Sequence, residues 1–408
     1  MPTMNKKANS RYSMQQCMQM AACTNCQSCA DVCPAVNAAG DGRLSALHRM
    51  RGLQQILKSR NSSGWIARLF GRKELTAEEW KEFSETVYRC TLCGNCQEVC
   101  PVGINLKDLW VSLREDLVDE KHFPKKINMI KSNLKSSRNV FDEDNEERAE
   151  WVEDMDDPPD DLFVRDEAEV VYFTGCTAAY FPVAQKIPLA LADILLQAEI
   201  DFTLLGEEEW CCGFPLLGAG LKDMFTEFAE HNIQAVLEKG AKTVTFACPS
   251  CYEMWKEHYP YKENGIQIFH STQYLEMLIK EEKIPFKSLD MTVTYHDPCD
   301  LGRGAREFDA PRAVIKAIPG VTFVELPNNR ENCNCCGGGG NLEMVDAKLS
   351  AGIAKSKVEE AVSTGADTIV SSCQQCVRTM LTYAKRNKVG IDVLDITQLV
   401  RKALEMDE

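Results

Sequence analysis

The chain contains no run of about eighteen consecutive apolar residues, the length a membrane-crossing helix requires. Its start, Met1 to Arg11, is polar and basic. It lacks the apolar core of an export signal, so the chain is expected to stay in the cytoplasm and to touch a membrane only through a partner. There is no G-x-G-x-x-G and no Walker motif, so a flavin or nicotinamide would belong to another subunit. Basic residues do not alternate with aromatics in any repeated pattern, and no nucleic-acid role is expected. What remains is an ordinary soluble composition, 44% hydrophobic and 26% charged over 408 residues, enough for two or three domains.

The net charge of −15 is mostly local. Asp142 to Glu169 holds fifteen acids and two arginines, which leaves the remainder of the chain near neutral. With Pro158 and Pro159 inside it, this run reads as a solvated acidic linker over residues 141–168. A second bias runs the other way. Arg43 to Lys73 has eight Lys or Arg and no acid. It reads as a solvated helical face or as a docking surface for an acidic partner or membrane headgroups.

Cysteine is abundant, at twenty residues. Without an export signal a disulfide framework is not expected, and metal is. Eighteen of the twenty stand in spaced motifs, which argues against scattered buried thiols acting as small hydrophobes. Cys23, Cys26, Cys29 and Cys33-Pro34 return as Cys90, Cys93, Cys96 and Cys100-Pro101. This is the ligand run of two-cluster ferredoxins, in which the fourth cysteine of each run reaches the other cluster. The spacing therefore assigns Cys23, Cys26, Cys29 and Cys100 to one cubane [4Fe–4S] cluster, and Cys90, Cys93, Cys96 and Cys33 to a second. Paired zinc sites are the alternative, but zinc seldom needs three cysteines at two-residue gaps plus a trailing Cys-Pro. The 56 residues between the runs carry Leu44, Leu47, Met50, Leu53, Ile56 and Leu57, and then Trp80, Phe83, Val87 and Tyr88, at helical spacing. An all-α ferredoxin-like domain over residues 1–140 is expected.

The rest of the chain is a duplication. Cys176, Cys211, Cys212, Cys248 and Cys251 recur as Cys299, Cys335, Cys336, Cys373 and Cys376. The intervals are 34 and 35 residues in the first copy and 35 and 36 in the second. β-rich runs at Val170–Thr174, Asp201–Leu205, Thr243–Phe246 and Ile266–Phe269 alternate with helical ones. The same order returns at Thr292–Tyr295, Val321–Leu326, Thr368–Val370 and Val393–Leu394. Two α/β domains with mostly parallel sheets are expected, over residues 169–285 and 286–408. Metal cysteines at the carboxyl ends of strands suit such sheets. Adjacent cysteines reach one metal site only from a turn. Gly213 in one copy and Gly337 and Gly338 in the other permit such a turn and would offer backbone N–H groups to cluster sulfurs.

The duplicated motif resembles the CCG domain of heterodisulfide reductases. A two-cluster ferredoxin part followed by two such copies resembles the D subunit of the membrane-linked type, in which the C and B subunits of the soluble type are fused. The resemblance implies a noncubane [4Fe–4S] cluster on each five-cysteine set, the two flanking a substrate disulfide. It implies an iron–sulfur oxidoreductase subunit that passes electrons through two cubane clusters to two noncubane clusters, which reduce a disulfide or oxidise thiols. Its partners would be redox subunits, either a membrane cytochrome b or quinone subunit or a flavin subunit. The alternative function is an electron relay between such a membrane partner and a soluble complex of flavin, acyl-CoA or sulfur metabolism, without disulfide turnover. One departure stands out: relatives often have histidine after the cysteine of the His296-Asp297-Pro298-Cys299 segment, and here it is Asp300. His296 is a candidate proton donor to a leaving thiolate or a strand-end histidine bonded to backbone. Cys333 reads as a bystander to Cys335, and Cys17 as packing on a helix with Met14, Met18 and Met20.

Overall fold

The computed structural model describes residues 11–61 and 75–404. The first part is helical. Helices Ala46–Asn61, Ala77–Tyr88, Leu106–Asp119 and Ile127–Ser136 enclose Leu53, Val87, Leu109, Leu113 and Ile130. Thr76 and Glu79 form a capping box that starts the second of these.

The second part contains two parallel four-stranded sheets. In one, β1 (Val170–Phe173), β2 (Phe202–Thr203), β3 (Thr243–Phe246) and β4 (Gln267–His270) lie in the order β2-β1-β3-β4. In the other, β5 (Met291–His296), β6 (Val321–Val324), β7 (Thr368–Ser371) and β8 (Asp392–Asp395) repeat that order as β6-β5-β7-β8. The interior strands β1 and β7 are buried along their whole length, as parallel sheets covered on both faces require. The fold class is thus α followed by duplicated α/β, as the sequence implies.

The copies dock reciprocally. Helix Lys186–Gln197 after β1 packs on the last helix, Ile396–Ala403. Helix Ser271–Lys280, which ends the first copy, packs on Asp309–Ala317, which opens the second. First meets last in both directions, the arrangement of an isologous dimer built within one chain.

Three expectations change. The acidic segment is not simply solvated: Arg148, Ala149, Trp151, Val152 and Phe163 are buried, and residues Glu146–Asp154 form a 3-10 stretch against the first copy. Its acids face water while its few apolar residues and one arginine anchor it. The basic stretch is not a uniform cationic face. Arg49 is buried beneath the helices, Arg43 pairs with Asp41 and Glu82, and Arg60 pairs with Asp116; residues 62–73 lie outside the described ones. On helix Met14–Ala22, Met20 is buried, but Met14 and Met18 face solvent.

Candidate metal centres and the cavity between the copies

Each ferredoxin-type run is a loop that turns into a four-residue helix. Gln27 before Ser28–Asp31 and Gly94 before Asn95–Glu98 hold matching left-handed conformations, φ 72° and 76°. Cys33 then ends against Pro34, which opens the next helix and carries this cysteine away from its own loop. Cys23, Cys26, Cys29 and Cys100 line one cavity, closed beneath by Ala46, Leu47 and Met50. Cys33, Cys90, Cys93 and Cys96 line another, closed by Arg49 and Trp110. Arg49 donates to the carbonyls of Leu44 and Thr86 and lies 5.3 Å from the Trp110 ring, placing a fixed charge beside the second set. Burial pushes the Cys29 thiol up to about 11. All twenty cysteines are free, and a metal that replaces their protons fits these sets.

In the α/β copies the cysteines cluster at the ends of strands. Cys176 opens a helix three residues after the end of β1, and Cys299 stands three residues after the end of β5. Cys248 and Cys373 precede helices Pro249–His258 and Gln374–Arg386, so each C-x-x-C sits on a helix start, where thiolate is favoured. The paired cysteines occupy turns. Gly213 and Gly337 have φ of 87° and 93°, and a Cβ on Gly337 would stand 2.5 Å from the Ser350 carbonyl oxygen. Gly337 N–H donates to Cys335 Sγ at 3.3 Å and Gly338 N–H to Cys336 Sγ at 3.4 Å. Cys336 and Cys376 sulfurs are 3.1 Å apart. Hydrogen bonds from Cys211 and Cys251 pull the Cys212 thiol down to about 6.

Both sets open onto one cavity, about 1050 Å³ with its mouth, lined by all five cysteines of the first copy and by Cys299, Cys336, Cys373 and Cys376 of the second. Cys335 lies off that wall: it packs with Cys33, Cys93 and Leu342, between the second ferredoxin set and the second copy. Gly338 lines the cavity; Gly213, Gly337 and His296 do not. Phe141, Phe214, Pro215 and Met344 form apolar wall, and Arg378, stacked 4.4 Å over Phe181 and paired with Glu343, supplies a guanidinium.

Several site residues were not legible in the sequence. Lys107 of the helical part reaches Glu253 at 2.7 Å and Asp300 at 2.9 Å, and Ser250 donates to Asp300 at 2.6 Å. Burial raises the Glu253 carboxyl to about 8. Arg148 of the acidic segment pairs with buried Glu209 at 2.7 Å and donates to Cys176 Sγ at 3.5 Å. Glu209 in turn accepts from the N–H groups of Thr174 and Gly175, fixing the loop before Cys176. Arg114 is wholly buried and donates to the carbonyls of Val87, Cys90, Gly218 and Gly340, tying the helical part to both copies. The partners come from distant segments, so no local pattern announces them.

The cysteine-rich domain family matches residues 170–256 and 293–381, and the 4Fe-4S dicluster domain family matches residues 19–104. The chain is 39% identical over 401 residues to the D subunit of dihydromethanophenazine:CoB–CoM heterodisulfide reductase from Methanosarcina mazei, covering 96% of each. It is 37% identical to the protein of the same description from Methanosarcina barkeri, covering 95% of each. It is also 26% identical to the EtfAB:quinone oxidoreductase of Syntrophomonas wolfei, covering 97% of this chain and 59% of that protein. With a dicluster region, two cysteine-rich copies and full-length identity of this order, the chain belongs to the heterodisulfide reductase D-subunit family of iron–sulfur oxidoreductases.

Proposed function

We propose that the chain carries two cubane [4Fe–4S] clusters, on Cys23, Cys26, Cys29 and Cys100 and on Cys33, Cys90, Cys93 and Cys96. Two noncubane [4Fe–4S] clusters sit on the five-cysteine sets, and a disulfide is reduced in the cavity between them. The observation that carries this reading is the shared cavity, lined by all five cysteines of the first set and four of the second. Breaking one S–S bond to two thiols takes two electrons and two protons and leaves two sulfurs to be accommodated. A site with two facing cysteine sets suits both needs. Bound there, the iron–sulfur groups supply electrons one at a time.

The chain's own residues supply the rest. Phe141, Phe214, Pro215 and Met344 exclude water from the cavity, and Arg378, which also lines it, orients a polar or charged arm of the substrate. Asp300 touches the cavity, and burial pushes the carboxyl of its neighbour Glu253 up, toward the protonated form, against the pull of the Lys107 ammonium. Ser250, Asp300 and Glu253 thereby form a proton store at the cavity edge, held in place by Lys107. This store stands where the residue after Cys299 is aspartate rather than histidine. Electrons reach the chain from a partner redox subunit, a membrane cytochrome b or quinone subunit or a flavin subunit. Among the described residues no helix is long and apolar enough to cross a membrane.

Anaerobic metal analysis with turnover tests the reading. Four clusters of four irons require about sixteen irons per chain, and reduced viologen should drive consumption of a disulfide. Stoichiometric zinc, or iron near eight, rejects the cluster assignment. Full iron with no disulfide consumed, and no thiol-induced change in any EPR signal, leaves an electron relay instead.

A further inference from the structure

The two copies differ at matching places. Three residues before the first cysteine of each set stand Phe173 and His296, and two residues before each cysteine pair stand Glu209 and Cys333. In the first copy Phe173 is ordinary core, its ring 5.5 Å from Phe246 and 5.8 Å from Trp255. In the second copy His296 is 1% exposed at the end of β5. Its Nδ1 is 3.5 Å from Cys333 Sγ, and its Nε2 is buried without a hydrogen-bond partner. Such a buried, unpaired nitrogen destabilises the fold unless something meets it.

What lies near is a set of sulfurs. A ring nitrogen of His296 and the sulfurs of Cys336 and Cys376 all fall within 4.8 Å of one another, and all three residues are buried. Nδ1 has a built partner. Cys333 Sγ is 3.4 Å from Lys357 Nζ, which is 0% exposed and paired with Glu360 at 2.7 Å. An ammonium only donates, so the sulfur accepts from Lys357 and can accept from His296 Nδ1–H as well. Metal-bound histidines almost always donate their second ring N–H to a fixed acceptor, which sets the tautomer. Here a thiol sulfur occupies the place a carboxylate or carbonyl usually takes.

We propose that His296 is a nitrogen donor to the metal centre of the second copy, positioned by Cys333 and Lys357, so that the two five-cysteine sites are chemically unlike. The proposal rests on the reading that each five-cysteine set holds iron. It gives Cys333 a role as the acceptor that orients the ring. The first copy, with Phe173 and Glu209 at those places, has no such nitrogen.

The test is pulsed EPR of holoprotein prepared anaerobically with and without 15N-histidine, in every paramagnetic state found by redox titration, beside Mössbauer spectra of 57Fe-loaded protein. We expect strong histidine-nitrogen coupling on one non-ferredoxin signal, and one iron site with a nitrogen ligand. His296→Phe, which copies the first half, should remove both while iron content is retained, and Cys333→Ser should reorient the coupling without abolishing it. Fully iron-loaded wild type with no label-sensitive coupling and no nitrogen-ligated iron overturns the proposal, and that outcome does not depend on any variant folding. Coupling that persists unchanged in iron-loaded His296→Phe also overturns it. Failure of the second set to load iron refutes the underlying cluster reading instead, which metal analysis distinguishes.

Discussion

His270 and Asp395 occupy the same place in the two copies and are predicted to oppose each other in pH. His270 ends β4 and caps the helix Ser271–Lys280; Asp395 ends β8 and caps Ile396–Ala403. Each accepts from the backbone N–H two residues on, Thr272 and Thr397, and each is wholly buried. Burial draws His270 from 6.5 down to about 3 and pushes Asp395 from 3.8 up to about 7. Between about pH 4 and 6.5 the unfolded chain binds a proton at the histidine that the folded chain does not, so this term strengthens folding as pH rises. Over the same window the folded chain keeps a proton on Asp395 that the unfolded chain has lost, so that term weakens folding as pH rises. Each is worth about 1.4 kcal/mol per pH unit, with opposite sign, and in the native protein they cancel. Replacing one exposes the other. From pH 5 to 6, Asp395→Asn should gain about 1.4 kcal/mol and His270→Gln should lose about 1.4 kcal/mol relative to the native slope. The assay is anaerobic urea unfolding of the holoprotein, followed by tryptophan fluorescence at several pH values. Differences between variants cancel the effects common to all. Parallel pH slopes for the native protein and both variants would refute the reasoning.

Other outcomes follow from the same geometry. Arg148→Met leaves Glu209 buried and unpaired, which should lower the unfolding free energy by about 3–5 kcal/mol, measured by denaturant titration, and should loosen the loop before Cys176. Gly337→Ala combines positive φ with a clash on Ser350 and should cost about 1–3 kcal/mol of stability; its iron content should fall while the ferredoxin EPR signals remain. Cys212→Ser and Cys336→Ser should each abolish viologen-driven disulfide reduction while the ferredoxin clusters still accept electrons. If only one of them matters, the copies have diverged in function.

Much of this was written in local pattern. Cysteine spacing separated the ferredoxin runs from the repeated sets, and strand-forming residues ahead of Cys176, Cys248, Cys299 and Cys373 placed those cysteines at the carboxyl ends of strands. The glycines after each cysteine pair signalled turns, and the turns are there. What escaped was whatever depends on partners far apart in sequence. Acidic composition hid the anchoring of residues 141–168, because Arg148 finds Glu209 61 positions later. A run of basic residues concealed that Arg49 points inward, since only the packed helices reveal its carbonyl partners. Lys107, Glu253 and Asp300 come from the helical part and from both copies, and nothing near any one of them predicts the meeting. Cys333 lacked a visible purpose for the same reason: Lys357 lies 24 residues away.

Arg114 has a consequence for how the molecule assembles. Its guanidinium donates to carbonyls of the helical part, of the first copy and of the second. Each bond from a charged donor is worth about 1.5–3 kcal/mol once formed. With either copy absent, a buried charge faces carbonyls that have not arrived, and the pocket must stay wet. Docking of the two copies onto the helical part should therefore be nearly all-or-none, with partly assembled chains scarce. In a cell that must load iron–sulfur groups onto these cysteines, the last closure would occur only after every cysteine-bearing segment has reached its place.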